Sequence, residues 1–220
     1  EYKHTIGFKG QIWLEPKPQE PTKHQYDFDS ASCLALLRKI GLDKEIKLNI
    51  EVNHATLSGH NFEHEIAYAI ANNALGSIDI NRGDTLLGWD TDQFPNNPAD
   101  LILAFYYIFN NGGFKNGGLN FDAKIRRQSI DPEDLFYSHI GGMDTCAKTL
   151  LAIEKLINDK TLSNYITQRY KNWNNELGKK IHSKSTNLDT LHEIVIKNNL
   201  EPKEKSGQQE MLENIINKYL

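Results

Sequence analysis

The sequence predicts an α/β fold built on a parallel sheet, and three observations carry that prediction. Short β-prone or apolar runs alternate four times with stretches of helical periodicity over the first two-thirds of the chain. An acidic residue stands at or just after the end of each apolar run: Glu15, Glu51, Asp79 and Asp122. These acids are separated by 36, 28 and 43 residues, near the roughly 30 residues that one βα unit of an eight-fold barrel occupies. Barrels and open α/β sheets both place their sites at the C-terminal ends of strands, where these acids fall. Four units make half of a barrel; an open four-stranded α/β sheet is the rival arrangement.

Taken in order, the first strand is expected at residues 11–14. A helix over 30–40 follows, with a Ser start and Gly41 as its stop. Residues 46–50 read as the second strand. A helix over 60–74 then places Phe62, Ile66, Ala69 and Ile70 on one face. Residues 77–80 read as the third strand. The helix over 98–110 carries Leu101, Ile102, Phe105, Ile108 and Phe109, a broad apolar stripe. The Gly-rich run at 110–118 lacks the order of a phosphate loop and reads as a tight connection into the last strand, 118–121. A long helix over 132–158 takes Asp131 as cap and Pro132 as its first residue, with Gly141-Gly142 as a point of interruption. Residues 1–158 therefore read as one half-barrel domain. From Asp159 the chain is rich in Lys, Asn and Glu without a strand signal, so 159–220 reads as a helical arm. Its last stretch puts Met211, Leu212, Ile215, Ile216 and Tyr219 on one side, a face for this chain or another subunit to cover.

Composition narrows the class. Hydrophobic residues at 39% and charged residues at 25% are ordinary for a globular domain. A net charge of −4 without a basic run makes nucleic acid a poor partner. No apolar stretch approaches the roughly 18–20 residues of a membrane span. Cys33 and Cys146 are the only cysteines and lack metal-ligand spacing, so they read as free thiols in a reducing cytoplasm. The chain starts at Glu1 without a targeting pattern, which reads as a processed or truncated front, or as a larger protein lacking its first half.

The acids carry the chemistry. Carboxylates are rarely buried at strand ends unless paired or bound to a cation. Glu15 and Lys17 are two apart on an extended segment held by Pro16 and Pro18, so both point to one side; a surface ion pair is the plain alternative. Glu51 and His54 are three apart where a strand turns into a loop, and carboxylate with imidazole suits Mg²⁺, Mn²⁺ or Co²⁺ better than a thiolate site would. His60 and His64 read as loop and helix-surface residues. Asp90 and Asp92 flank Thr91 on one side of an extended loop, where an Asx-turn is the plain alternative; Asp84 reads as such a turn. Asp79 and Asp122 complete a set that points to hard divalent cations.

The stretches WLEPKPQEPTKHQYDFD, NIEVNHATLSGHNFEHE, GSIDINRGDTLLGWDTDQFP and GGLNFDAKIRRQSID resemble xylose isomerase, the longer bacterial and fungal class, and SGQQEMLENIIN resembles the end of that family. The resemblance runs from about Gly7 to the C-terminus and covers the family's C-terminal half. It implies a TIM (β/α)8 barrel, of which these are strands 5–8, with a C-terminal arm that embraces a neighbouring subunit. It implies that Glu15, Glu51, Asp79 and Asp122 hold one divalent ion. Glu51, His54, Asp90 and Asp92 would hold a second, catalytic one, and Lys17 would bind the sugar's O1. Lys17, His54 and Asp90 are the catalytic candidates. The family interconverts an aldose and a ketose by a metal-assisted hydride shift. The first four βα units, with the His–Asp pair that opens the sugar ring, have no counterpart here.

The expected function is therefore that of a xylose isomerase fragment acting on xylose, with glucose as a second candidate. It would need a complementing N-terminal half or a homo-oligomer to close the barrel. The alternative is a catalytically inactive metal-binding scaffold that assembles through its arm. Another divalent-metal sugar isomerase or epimerase is a third, weaker reading.

Overall fold

The computed structural model describes residues 1–126 and 128–220. They form two compact units, Glu1–Ile153 together with Leu220, and Glu154–Tyr219.

The first unit is built on a four-stranded sheet. Strands β1 (Ile12–Leu14), β2 (Ile46–Glu51), β3 (Leu75–Asp79) and β4 (Leu119–Asn120) are all parallel and lie in the order β1-β2-β3-β4. Strand order never reverses, whereas an open doubly wound sheet reverses at its switch point. Sequential parallel strands with intervening helices are the arrangement of half a (β/α)8 barrel, as expected. The helices are α1 (Tyr2–Thr5), α2 (Ser30–Lys39), α3 (Val52–Leu57), α4 (Phe62–Ala71), α5 (Ile102–Asn110) behind a 3-10 turn at Pro98–Asp100, and α6 (Pro132–Asn158). The boundary between the units falls within α6.

Local chemistry explains these elements. Helix α2 is capped by Asp29, whose Oδ1 accepts from the Ser32 amide at 2.7 Å, so the cap lies one residue before the expected Ser. Gly41, at φ +73°, ends it. Leu34 and Leu37 of α2, Ile66 of α4, and Phe105 and Ile108 of α5 are at most 2% exposed, as are Leu48, Ile50, Ile78 and Ile80 of the sheet region. Each such side chain contributes about 1.5–3 kcal/mol, so this apolar layer is the main force holding helices to sheet. Between β2 and β3 the register slips by one residue after Leu48, which places Gly76 in a crowded position. A Cβ on Gly117 would lie 1.9 Å from the Gly76 carbonyl oxygen. Gly117 must be glycine so that β4 can approach β3, and a Cβ on Gly76 would press on Trp13 and the Leu48 carbonyl.

Several elements depart from expectation. The segment after β2 is helix α3, not a loop. Strand β3 runs from Leu75 to Asp79, starting earlier than expected. Helix α4 begins at Phe62 and ends at Ala71, which leaves His60 in the preceding loop. Gly141-Gly142 does not interrupt α6, because long neighbouring turns carry the helix through two weak residues.

The second unit is helical: α7 (Thr161–Arg169), a 3-10 turn at Lys171–Asn174, α8 (Glu176–His182), α9 (Leu188–Lys197) and α10 (Gln209–Asn217). Tyr165 Oη donates to the Gly207 carbonyl at 2.7 Å, Arg169 to the Ser206 carbonyl at 2.8 Å, and Tyr219 Oη to Asp159 at 2.9 Å. The first two bonds tie α7 to the segment that leads into α10, and the third joins the residues just before α7 and just after α10. Leu188 and Ile196 of α9 are 83% and 66% exposed. No helix among the described residues is long and apolar enough to cross a membrane.

Candidate metal centre

Side chains alternate along a strand, so β2 sends Leu48 and Ile50 toward the helices and Asn49 and Glu51 to the other face. Register does the rest. Glu51 pairs with Asp79, and Asp79 with Asn120, two residues before Asp122. Leu14 pairs with Leu48, which brings Glu15 level with Asn49. The Asn49 amide donates to Glu15 Oε2 at 2.8 Å and to Asp79 Oδ2 at 2.6 Å, spanning two carboxylates. Glu15, Glu51, Asp79 and Asp122 each offer an oxygen, and the four atoms lie within 4.8 Å of one another.

A second group adjoins the first through Glu51. Oxygens of Glu51, Asp90 and Asp92 also lie within 4.8 Å of one another. His54, carried on α3, puts Nε2 3.0 Å from Asp90 Oδ2 and 3.3 Å from Glu51 Oε2, and Nδ1 3.3 Å from Glu15 Oε1. Lys17 Nζ donates to Asp90 Oδ2 at 2.9 Å. Asn53 donates to Asp90 Oδ1 at 2.6 Å, and Asn81 to Glu51 Oε1 at 2.7 Å and to the Asp122 carbonyl at 3.1 Å. Asp92 is held from outside by Lys124, at 3.0 Å, and by Arg126. The Asp90–Asp92 segment is not simply extended: Asp92 adopts φ +44°, and Asp122 φ +41°. Two site carboxylates thus sit in the left-handed region, a strain found where function fixes geometry.

The electrostatics describe a site crowded with negative charge. Burial, with the charges of Asp90 and Glu15 adding to it, pushes the Glu51 carboxyl up to about 9 against the opposing pull of His54 and Asn81. Burial raises Asp79 as well. Burial works to lower His54, but its contacts with Asp90 and Glu15 and the charge of Glu51 outweigh that and raise it to about 9. Asp90 is held well below the usual carboxylate range: burial opposes this, and contacts with His54, Asp92, Lys17 and Asn53 override it. In Lys17 burial is likewise outweighed, by Asp90, and the ammonium is favoured. Protonated His54 and Lys17 are the positive charges that answer the acids from within.

The donors fit divalent cations. Glu51 is 1% exposed, yet its Oε2 has no hydrogen bond, and neither has the buried His54 Nδ1. Both lie within ion-pair distance of neighbours without hydrogen-bond geometry. Orphaned buried polar atoms of this kind call for a ligand. Four carboxylates with oxygen-only donors suit a hard ion, and carboxylates with one imidazole suit Mg²⁺, Mn²⁺ or Co²⁺.

All eight residues singled out in the sequence come together here. Asp84 takes the Asx-turn role, accepting from the Leu86 amide at 2.9 Å. The sequence reading missed Asn49, Asn53 and Asn81, and the Asp92 partners Lys124 and Arg126. The signal for two of them was present: Asn49 stands two residues before Glu51, and Asn81 two after Asp79.

Fold and site together define a class: a carboxylate-rich centre at the C-terminal ends of parallel barrel-type strands. Residues 166–220 match the family XylA2 C-terminal domain. The whole chain is 56% identical to the xylose isomerase of Mesorhizobium japonicum, and 57% identical to those of Haemophilus influenzae and Actinobacillus succinogenes. In each case the match covers 100% of this chain and 50% of the relative. The chain is thus homologous to xylose isomerases from end to end, and spans about half the length of the curated relatives it matches.

Proposed function

We propose that this chain is the metal-holding half of a xylose isomerase, converting D-xylose to D-xylulose by a 1,2-hydride shift once its barrel is completed. The observation that carries the reading is Glu51, a fully buried carboxylate shared by both acid groups and left with an orphaned oxygen. Glu15, Glu51, Asp79 and Asp122 would hold one divalent ion, and Glu51, His54, Asp90 and Asp92 the other, with Mg²⁺, Mn²⁺ or Co²⁺ as candidates. Such ions, when bound, supply Lewis acidity to the two sugar oxygens flanking the shifting hydrogen. Lys17 would donate to the oxygen at C1 as it gains charge. Asp90 holds that ammonium in position and orients His54. Asn49, Asn53 and Asn81 fix the carboxylates, so little reorganisation is needed when substrate arrives.

The remaining βα units would come from the rest of a longer polypeptide, from a complementing N-terminal half or from a second copy. β1 and β4 are sheet edges with unpaired backbone groups, which favours association. The exposed apolar residues of α9 suit an assembly role for the second unit. Buried free thiols at Cys33 and Cys146 favour a cytoplasmic setting. The second reading is an inactive metal-binding scaffold, which the same acid groups would serve without turnover.

The test measures xylulose formed from xylose with Mg²⁺ or Mn²⁺, using the chain alone and mixed with the N-terminal half of a homologue. Turnover in either sample supports the isomerase. Metal uptake without turnover in both supports the scaffold.

A further inference from the structure

We propose that His60, His64 and Glu65 form a separate cation site for a transition-metal ion of the Zn²⁺ class, with Asp29 orienting His60 from behind. His60 lies in the loop before α4, and His64 and Glu65 in its first turn. One nitrogen of each ring and one Glu65 oxygen lie within 4.8 Å of one another. The two imidazoles stack with centroids 4.6 Å apart and planes 14° apart, so their nitrogens lie side by side, and a shared ion requires the exposed His64 ring to turn out of the stack.

The surrounding contacts hold the carboxylate and the His60 ring in place. Glu65 is 3% exposed, and its Oε2 accepts from the Ser30 amide at 2.8 Å. Its Oε1 faces His60 Nδ1 at 3.9 Å, beyond hydrogen-bond reach. On the far side of the ring, His60 Nε2 lies 3.4 Å from Asp29 Oδ2, while the other Asp29 oxygen caps α2. Asp29 therefore favours the tautomer with its proton on Nε2. In that tautomer Nδ1 turns a lone pair toward the Glu65 oxygen, and a cation between them, or a second proton on the ring, removes the repulsion. A carboxylate behind the ring is also the usual companion of a metal-ligating histidine.

Two imidazoles and one carboxylate select differently from the acidic centre. They suit Zn²⁺, Ni²⁺ or Cu²⁺ rather than Mg²⁺. His64 is exposed, so a remaining coordination position opens to water. An ion here would clamp the start of α4 to the start of α2. The carboxylates already offset the positive ends of both helices, which would otherwise oppose a cation.

The experiment uses the full chain in excess Mg²⁺, which competes for the oxygen-rich centre, with a few equivalents of Zn²⁺ added. Retained zinc is measured after desalting. The wild type should hold one more Zn²⁺ per chain than a His60→Ala/His64→Ala variant. His64→Ala alone, at an exposed position that leaves the fold intact, should weaken Zn²⁺ by at least about 10-fold, and Asp29→Asn by about 10- to 100-fold. With Cu²⁺ as probe, the electron paramagnetic resonance of a Glu51→Gln protein should show two coordinated nitrogens, lost on His64→Ala. Equal zinc retention in wild type and His64→Ala would overturn the proposal, whatever the chain does with xylose. Persistence of the two-nitrogen signal in His64→Ala would overturn it equally.

Discussion

Lys17 and Asp90 meet across 73 residues of sequence, with Nζ 2.9 Å from Oδ2. The contact joins the loop after β1 to the loop after β3 and leaves Lys17 about one-third exposed, with part of its head free for a ligand. Replacing it should separate binding of metal from chemistry. In the completed enzyme, Lys17→Met is expected to lower the rate of xylulose formation about 100- to 1,000-fold, the usual effect of losing one donor to a developing oxyanion. Divalent metal uptake, followed by calorimetric titration, should persist. Loss of metal uptake together with rate would mean that Lys17 serves structure only.

Asn49 offers a different test, because it touches two carboxylates and nothing reactive. Asn49→Leu keeps the volume but removes both donors from Glu15 and Asp79. Affinity for Mn²⁺ at the four-carboxylate group should fall about 10- to 100-fold. An unchanged Mn²⁺ titration would show that strand register alone aligns those acids.

The stability of the metal-free protein should fall as pH rises from about 6.5 to 9. Glu51 has a folded value of about 9 against an ordinary 4.5, so the folded chain holds a proton that the unfolded chain has released, and that advantage shrinks as pH approaches 9. His54 is raised from 6.5 to about 9; its contribution is complete below 6.5 and is lost as pH rises through 9. Both groups act in the same direction. Thermal unfolding in a chelator at pH 6.5, 7.5 and 8.5 should show a declining midpoint, and Glu51→Gln should flatten the decline. A midpoint that rises over this range would contradict the assignment.

Gly117→Ala should cost about 1–3 kcal/mol through overpacking. The new methyl would meet the Gly76 carbonyl, a backbone atom that cannot rotate away. Urea unfolding measures the loss. Gly118→Ala next to it meets nothing within 4 Å and serves as the control.

Both thiols should be inert in the native protein. Burial and the charges of Asp27, Asp29 and Glu65 push Cys33 up to about 12, and burial pushes Cys146 up to about 11. Thiolate reagents should therefore label neither until denaturant is added. Rapid native labelling of either would reveal local opening of its helix.

Much of this architecture is legible in the chain because one signal repeats. An apolar run ending in a carboxylate marks β1, β2 and β3, and Glu15, Glu51 and Asp79 follow from it. The fourth repeat is fainter, since β4 has only two residues and depends on Gly117 approaching Gly76 rather than on its own propensity. Helix α3 is hidden for another reason. It is six residues long, and burial of Val52, Asn53, His54 and Ala55 outweighs its weak local preference. The three asparagines escape notice because asparagine is common in loops. Their partners are reached through the fold: Asn53 meets Asp90 37 residues away, and Asn81 meets Glu51 30 residues away. His60 looks like a surface residue until Asp29 and Glu65 arrive from both sides, whereas His64 is exposed, as its helix-surface reading has it.

The Glu51–Asp79 pairing makes cation affinity a readout of folding fidelity. A slip of one residue between β2 and β3 would turn Ile50 or Ile78 toward the acids and send a carboxylate into the apolar layer. Chains with such an error would fail to gather their oxygens around one point. Refolding with a divalent ion present would therefore enrich correctly registered molecules, and the ion would act as a proofreader of the sheet before it served any substrate.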